Sequence, residues 1–165
     1  MKKLVPILLV IVLAAGALVW QFGGQGESAP EVTYHTLGGR QVTSQELQGK
    51  VVLVKFWATS CVTCVQQMPG TAEVFEKFGP RGYEVIAVAM DYDPIEYVRN
   101  FTERRKLPFT VAHDASGEIA QAFGDVRLTP TAFLIDKKGR IVKRYLGNYD
   151  KDAFVKTVEQ ALAAS

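Results

Sequence analysis

The sequence predicts an α/β fold, a mixed central sheet with helices on both faces. Three observations predict it. Val51–Trp57 is a near-continuous apolar run and Glu84–Met90 is a second, which is how strands buried on both faces read. Helical patterns separate these runs and follow them. The chain then closes with Thr131–Ile135 and Ile141–Leu146 around Asp136-Lys137-Lys138-Gly139, a clear hairpin signal, and one last amphipathic helix.

In chain order, Lys2 and Lys3 precede an uncharged apolar stretch from Leu4 to about Phe22. As a helix it rises ~28 Å, close to the ~30 Å hydrocarbon core of a bilayer. Pro6 falls in its first turn, where a missing N–H costs little. Trp20 and Phe22 fall near the far interface. The two lysines hold the N-terminus inside and send the rest across the membrane. A cleaved signal peptide ending at Ala15-Gly16-Ala17 is the rival reading. The apolar run continues past that site through Leu18, Val19 and Trp20, which favours an uncleaved anchor over residues 1–22. Gly and Ser then make residues 23–30 a flexible linker, and residues 31–165 form one domain without internal repeats.

Within that domain, Val32–Leu37 and Arg40–Val42 flank Gly38-Gly39 as an N-terminal hairpin. After the first buried strand a helical pattern runs from Cys61 to Phe78, interrupted by Pro69 and Gly70. Pro94–Lys106 is a polar-faced helix with proline at its first position. Phe109–Ala112 is a short strand and Gly117–Phe123 a short helix. Asp150 caps the closing helix, which ends near Ala164.

Composition excludes several classes. The 165 residues are 48% hydrophobic and 22% charged, values of a folded protein rather than a disordered one. The net charge of +2 comes from 19 basic against 17 acidic residues, and Lys2 and Lys3 account for the whole surplus. A balanced body lacks the basic footprint that nucleic acid needs. Arg104-Arg105-Lys106 reads as a solvated helix end, with anionic headgroups as the other reading. Two cysteines exclude a multi-disulfide scaffold and a four-cysteine zinc site, and His35 and His113 stand alone.

Those two cysteines carry the chemistry. Cys61 and Cys64 lie three apart, after a strand and opening a helix. The free N–H groups and dipole there amount to ~+0.5 charge, which stabilises a thiolate. Cys61 is therefore the expected nucleophile with a depressed pKa. Cys64, one turn deeper, can attack the mixed disulfide that Cys61 forms with a substrate. A purely structural bridge would gain little, since loop-closure stabilisation reaches ~3 kcal/mol only near 15 residues.

Three stretches together resemble a known family. They are Lys50–Trp57 entering the Cys-x-x-Cys turn, Met68-Pro69 in the first helix, and Leu128-Thr129-Pro130-Thr131 before Ala132–Asp136. The chain resembles the thioredoxin fold, specifically the membrane-anchored thioredoxin-like disulfide reductases of bacteria (the TlpA/ResA type). The resemblance implies a three-layer fold with a helix–strand insert from Tyr92 to about Phe123. It implies that Pro130 is a cis-proline facing the disulfide and that Thr129 presents backbone groups to substrate. Trp57, four residues before Cys61, is a further candidate substrate contact, with packing under the active-site turn as the favoured reading. The redox couple itself would be the only cofactor, with no metal.

The same resemblance exposes departures. Gln67 stands where many relatives have Glu, Lys55 where they have Asp or Asn, and Ser60 where they have Trp. The usual acidic proton shuttle is thus missing. A Lys55 ammonium near Cys64 would favour its thiolate; the blander expectation is a buried stem with the ammonium snorkelling to water. By resemblance the activity is reduction of disulfides in exported proteins, apocytochrome c before haem attachment being the best-known case. That implies a transmembrane thiol-electron donor and a catalytic domain on the periplasmic or extracytoplasmic side. A copper-binding assembly factor would have Cys-x-x-x-Cys and a distant His. A peroxiredoxin-type peroxidase would have Pro-x-x-x-Thr/Ser-x-x-Cys; Thr59 and Ser60 precede Cys61 here, but the required proline is absent.

Overall fold

A computed structural model describes residues 26–164 of the chain. The expected membrane helix and the start of the linker lie outside the described residues. Among the described residues no helix is long and apolar enough to cross a membrane. The first hairpin pairs β1 (Thr33–His35) with β2 (Gln41–Thr43), setting buried Tyr34 opposite buried Val42.

The main sheet contains β3 (Val51–Trp57), β4 (Tyr83–Ala89), β5 (Thr110–His113), β6 (Thr131–Ile135) and β7 (Ile141–Leu146). Their order is β5-β4-β3-β6-β7. The first three run parallel, while β6 is antiparallel to both neighbours. Central β3 has all seven residues buried, which is why its apolar residues run on without alternation. Edge strand β7 leaves four of its six residues exposed, Lys143 and Arg144 among them.

Among the described residues four α-helices complete the domain: α1 (Val62–Phe78), α2 (Ile95–Arg105), α3 (Glu118–Ala122) and α4 (Lys151–Ala163). Alternation along β3 divides the core in two. Val51, Leu53 and Trp57 pack with Cys64, Met68 and Phe78 of α1, Val98 of α2, and Phe154 and Val158 of α4. Val52, Val54 and Phe56 pack on the opposite face with Tyr34 and Val42 of the hairpin and Ile119 and Ala120 of α3. The expected insert is present as α2, β5 and α3, with β5 extending the sheet beyond β4.

Three expectations need correction. Helix α1 runs unbroken through Pro69. The ring forfeits a single backbone bond, while Met68, Thr71 and Val74 keep both sides of it packed on the sheet. Pro94 sits at the cap of α2 rather than at its first helical residue. Residues 27–29, expected as free linker, pair with the closing hairpin: Ala29 donates to the Gly139 carbonyl and Ile141 donates to that of Glu27, both at 2.8 Å. An edge strand offers unpaired backbone groups, and this segment takes them.

Candidate active site

Cys61 caps the N-terminus of α1, and its Sγ accepts the Cys64 backbone N–H at 3.2 Å. The two cysteines form a disulfide across a Cα–Cα distance of 5.2 Å. They differ in access, because Cys61 is half-buried while Cys64 lies in the core at 0% exposure. Val62, between them, is 70% exposed. Substrate can therefore reach one sulfur and the protein keeps the other.

The turn that presents Cys61 is held from a distance. Asp93, itself buried, accepts the Thr59 backbone N–H and the Thr59 hydroxyl, each at 2.6 Å. His113 bonds the Asp93 carbonyl through Nε2 at 2.9 Å. Sequence reasoning missed Asp93; its one visible signal is an acidic residue directly before the proline that opens α2. Among the described residues no group of three His, Cys, Asp or Glu side chains comes together that would hold a metal ion.

Register places the proline loop at the same end of the sheet. Phe56 pairs with Thr131, so Thr129 and Pro130 lie just beyond the pairing, beside the carboxyl end of β3. The Thr129–Pro130 peptide bond is cis, Pro130 is buried and Thr129 half-buried. The Tyr92 and Thr129 hydroxyls lie 3.3 Å apart, which ties the insert to this loop. Tyr92 and Leu128, 55% and 64% exposed, give the loop an apolar rim that sequence reasoning did not single out. Trp57 packs under the active-site turn, as its favoured reading has it, and its candidacy as a substrate contact is corrected. It is fully buried and stacks against Phe101 of α2 at 5.2 Å between ring centres.

Lys55 requires the larger correction, because its ammonium does not snorkel. The residue is 0% exposed. Its position in β3 points it, with Leu53 and Trp57, toward the α1 side. Nζ donates to Gln67 Oε1 at 2.6 Å and lies 5.5 Å from the centre of the Tyr149 ring. Gln67 in turn donates to the Gly147 carbonyl at 3.2 Å and to Asn148 Oδ1 at 3.0 Å. Among the described residues no carboxylate pairs with the amine. Burial disfavours its charged form and brings its pKa from 10.5 down to about 7. Lys55 and Gln67 are thus bonded to each other, three residues along α1 from Cys64.

Comparison with known proteins follows the same outline. Residues 24–162 match the Redoxin family. The chain is 36% identical over 127 residues to the thiol-disulfide oxidoreductase ResA of Bacillus thuringiensis, covering 77% of this chain and 72% of that one. With ResA of Bacillus subtilis it shares 32% identity over 148 residues, 86% and 82% of the two chains. A thiol:disulfide interchange protein of the thioredoxin family from Chlorobium tepidum superposes with a TM-score of 0.77 at 27% identity. That match covers 85% of this chain and 99% of the other.

Proposed function

The chain belongs to the Redoxin family as a ResA-type thiol-disulfide oxidoreductase, and from that premise we propose that it works as a reductant of disulfides in exported proteins. The observation that carries the exchange chemistry is the unequal burial of the two sulfurs at the N-terminus of α1, and the resemblance to TlpA/ResA-type reductases supports its reducing direction. In the reduced enzyme the Cys61 thiolate attacks one sulfur of a substrate disulfide. A mixed disulfide forms and the first substrate thiolate leaves. Cys64 loses its proton and attacks Cys61 Sγ, which closes the Cys61–Cys64 bond and releases the second thiolate. Two electrons pass to the substrate, and its two thiolates take up protons. A thiol donor then returns two electrons to the enzyme by the reverse exchange.

Gln67 and Lys55 shape the second step in this reading. The buried amine accepts the proton that Cys64 sheds, and as an ammonium it then favours the neighbouring thiolate. Gln67 fixes Nζ in place. Thr129 and Pro130 border the groove in which a substrate segment lies. No cofactor beyond the cysteine couple takes part.

Residues 1–22 act as the tether, with the domain on the extracytoplasmic side of a bacterial cell membrane. Electrons arrive from a membrane-spanning thiol donor, whose effective concentration the tether raises. Apocytochrome c with an oxidised haem-binding cysteine pair is a fitting substrate. Trapping tests the scheme. Cys64→Ser in the full-length protein accumulates a mixed disulfide through Cys61, and Cys61→Ser abolishes exchange. Sustained turnover by Cys61→Ser would overturn it.

A further inference from the structure

We propose that a hollow on the α2 flank of the active-site turn binds an acidic side chain of the protein substrate, a few residues from the cysteine under attack. The inference rests on the exchange mechanism above and names a feature of its substrate. The hollow measures about 540 Å³ and is lined by Thr59, Tyr97, Asn100, Phe101, Arg104 and Arg105.

Five of these residues follow the spacing i, i+3, i+4, i+7, i+8, so they form one stripe along α2. Two contacts fix that stripe relative to the reactive sulfur. Phe101 stacks on Trp57, the last residue of β3, and Thr59 stands two residues before Cys61, pinned by Asp93. Anything joined to Cys61 has neighbouring residues within reach of this wall.

Charge sets what those neighbours should be. Arg40, Arg127 and Arg140 each pair with a carboxylate. Among the described residues Arg104 and Arg105 have none, although both are exposed. The Arg105 guanidinium lies over the Phe101 ring at 5.7 Å, which orients it at the lip of the hollow. The helix's own acids, Glu96 and Glu103, fall on another face by the same periodicity. Two guanidiniums with the Tyr97 hydroxyl and the Asn100 amide are donors suited to a carboxylate. A membrane surface would meet the same charges. The adjacency to Cys61, however, favours the polypeptide already held there.

Full-length protein in detergent, fully reduced, is mixed with three short peptides, each closed by one disulfide. They differ only in having Glu, Gln or Lys a few residues from one cysteine, at the same position in each. The second-order rate constant falls in the order Glu, Gln, Lys, with Glu about 3- to 10-fold above Gln at low salt and less at high salt. The Glu-to-Gln ratio drops to near one in the double variant Arg104→Gln, Arg105→Gln. It persists in Lys143→Gln, Arg144→Gln on the distant hairpin. Equal rates for all three peptides overturn the proposal, as does a ratio lost equally in the hairpin variant, which would signal only the general field of the protein. Loss of binding to phosphatidylglycerol vesicles in the Arg104, Arg105 variant, with no peptide preference in the parent, reassigns the hollow to the membrane and overturns it too. Absence of exchange with every peptide sinks the underlying reductase reading instead.

Discussion

A lysine on the central strand of a sheet has nowhere to send its ammonium once a helix and a loop close over it. Lys55 is flanked by β4 and β6, and Gln67 and Tyr149 cover its end. In the unfolded chain the amine keeps its usual affinity and holds a proton up to about pH 10; in the fold it holds one only below about 7. The unfolded state therefore binds more protons between those values, and native stability rises with pH across that window. Tyr149 stays neutral throughout, since burial pushes its hydroxyl up to about 12. Lys55→Met should stabilise the protein by about 1–4 kcal/mol at pH 6, where the buried charge costs most. The gain should shrink toward pH 9.5, as read from denaturant midpoints at both values. An advantage independent of pH would contradict a titrating Lys55. If the amine also serves Cys64, the same variant resolves its mixed disulfide more slowly at pH 7 and recovers as pH rises. Snorkelling was a fair expectation from sequence because it needs only a nearby surface. Which residues roof a strand position is decided by elements far along the chain.

Elements were legible where local periodicity and turn chemistry define them. Val51–Trp57, Thr131–Ile135 and Ile141–Leu146 appear with the bounds their sequence gives. The Cys-x-x-Cys turn at the mouth of α1 was equally plain. What holds that turn was not, because Asp93 and Thr59 are 34 residues apart and meet only through the β3–β4 pairing. Asp93→Ala should cost about 1 kcal/mol or somewhat more by leaving the half-buried Thr59 N–H and hydroxyl without their acceptor. It should also slow exchange at Cys61, whereas Asp93→Asn retains an acceptor and loses less of both. Unfolding curves and exchange rates on the same samples separate the two effects. Lost stability with an unchanged rate would limit Asp93 to a structural part. Asp114 is a second element-level tie, accepting the Ile119 and Ala120 N–H groups at the start of α3 with both carboxylate oxygens. Asp114→Ala should destabilise by a similar amount, while the reduction potential of the Cys61–Cys64 pair, set on the other face of the sheet, should hold.

At the scale of the whole molecule, the fold and the redox couple are linked by a thermodynamic cycle. Folding and disulfide formation are each favourable or not in the presence of the other, so a fold that favours the disulfide must be stabilised by it. The unfolded chain supplies the reference: a four-residue Cys-x-x-Cys loop with no helix dipole and no burial of Cys64. A reductant's fold favours disulfide over dithiol more than that reference does, and an oxidant's fold favours it less. For a two-electron couple, about 1.4 kcal/mol of stability difference corresponds to ~30 mV of potential. Here the two contributions oppose each other. The N-terminus of α1 stabilises a Cys61 thiolate and so the reduced form. The buried Cys64 and a Lys55 that is costly to charge disfavour holding a second thiolate in the core. Neither the dipeptide Val62-Thr63 nor any local pattern reveals which contribution wins, because the sum involves every residue packed around Cys64. The reductase reading requires the second to win. The full-length protein should then unfold at a higher denaturant concentration when oxidised than when reduced, with the gap converting directly into the lowering of its potential below that of an unfolded Cys-x-x-Cys peptide. The reverse order, with the reduced form the more stable, would make this protein a donor of disulfides, leaving the exchange chemistry intact and reversing its direction.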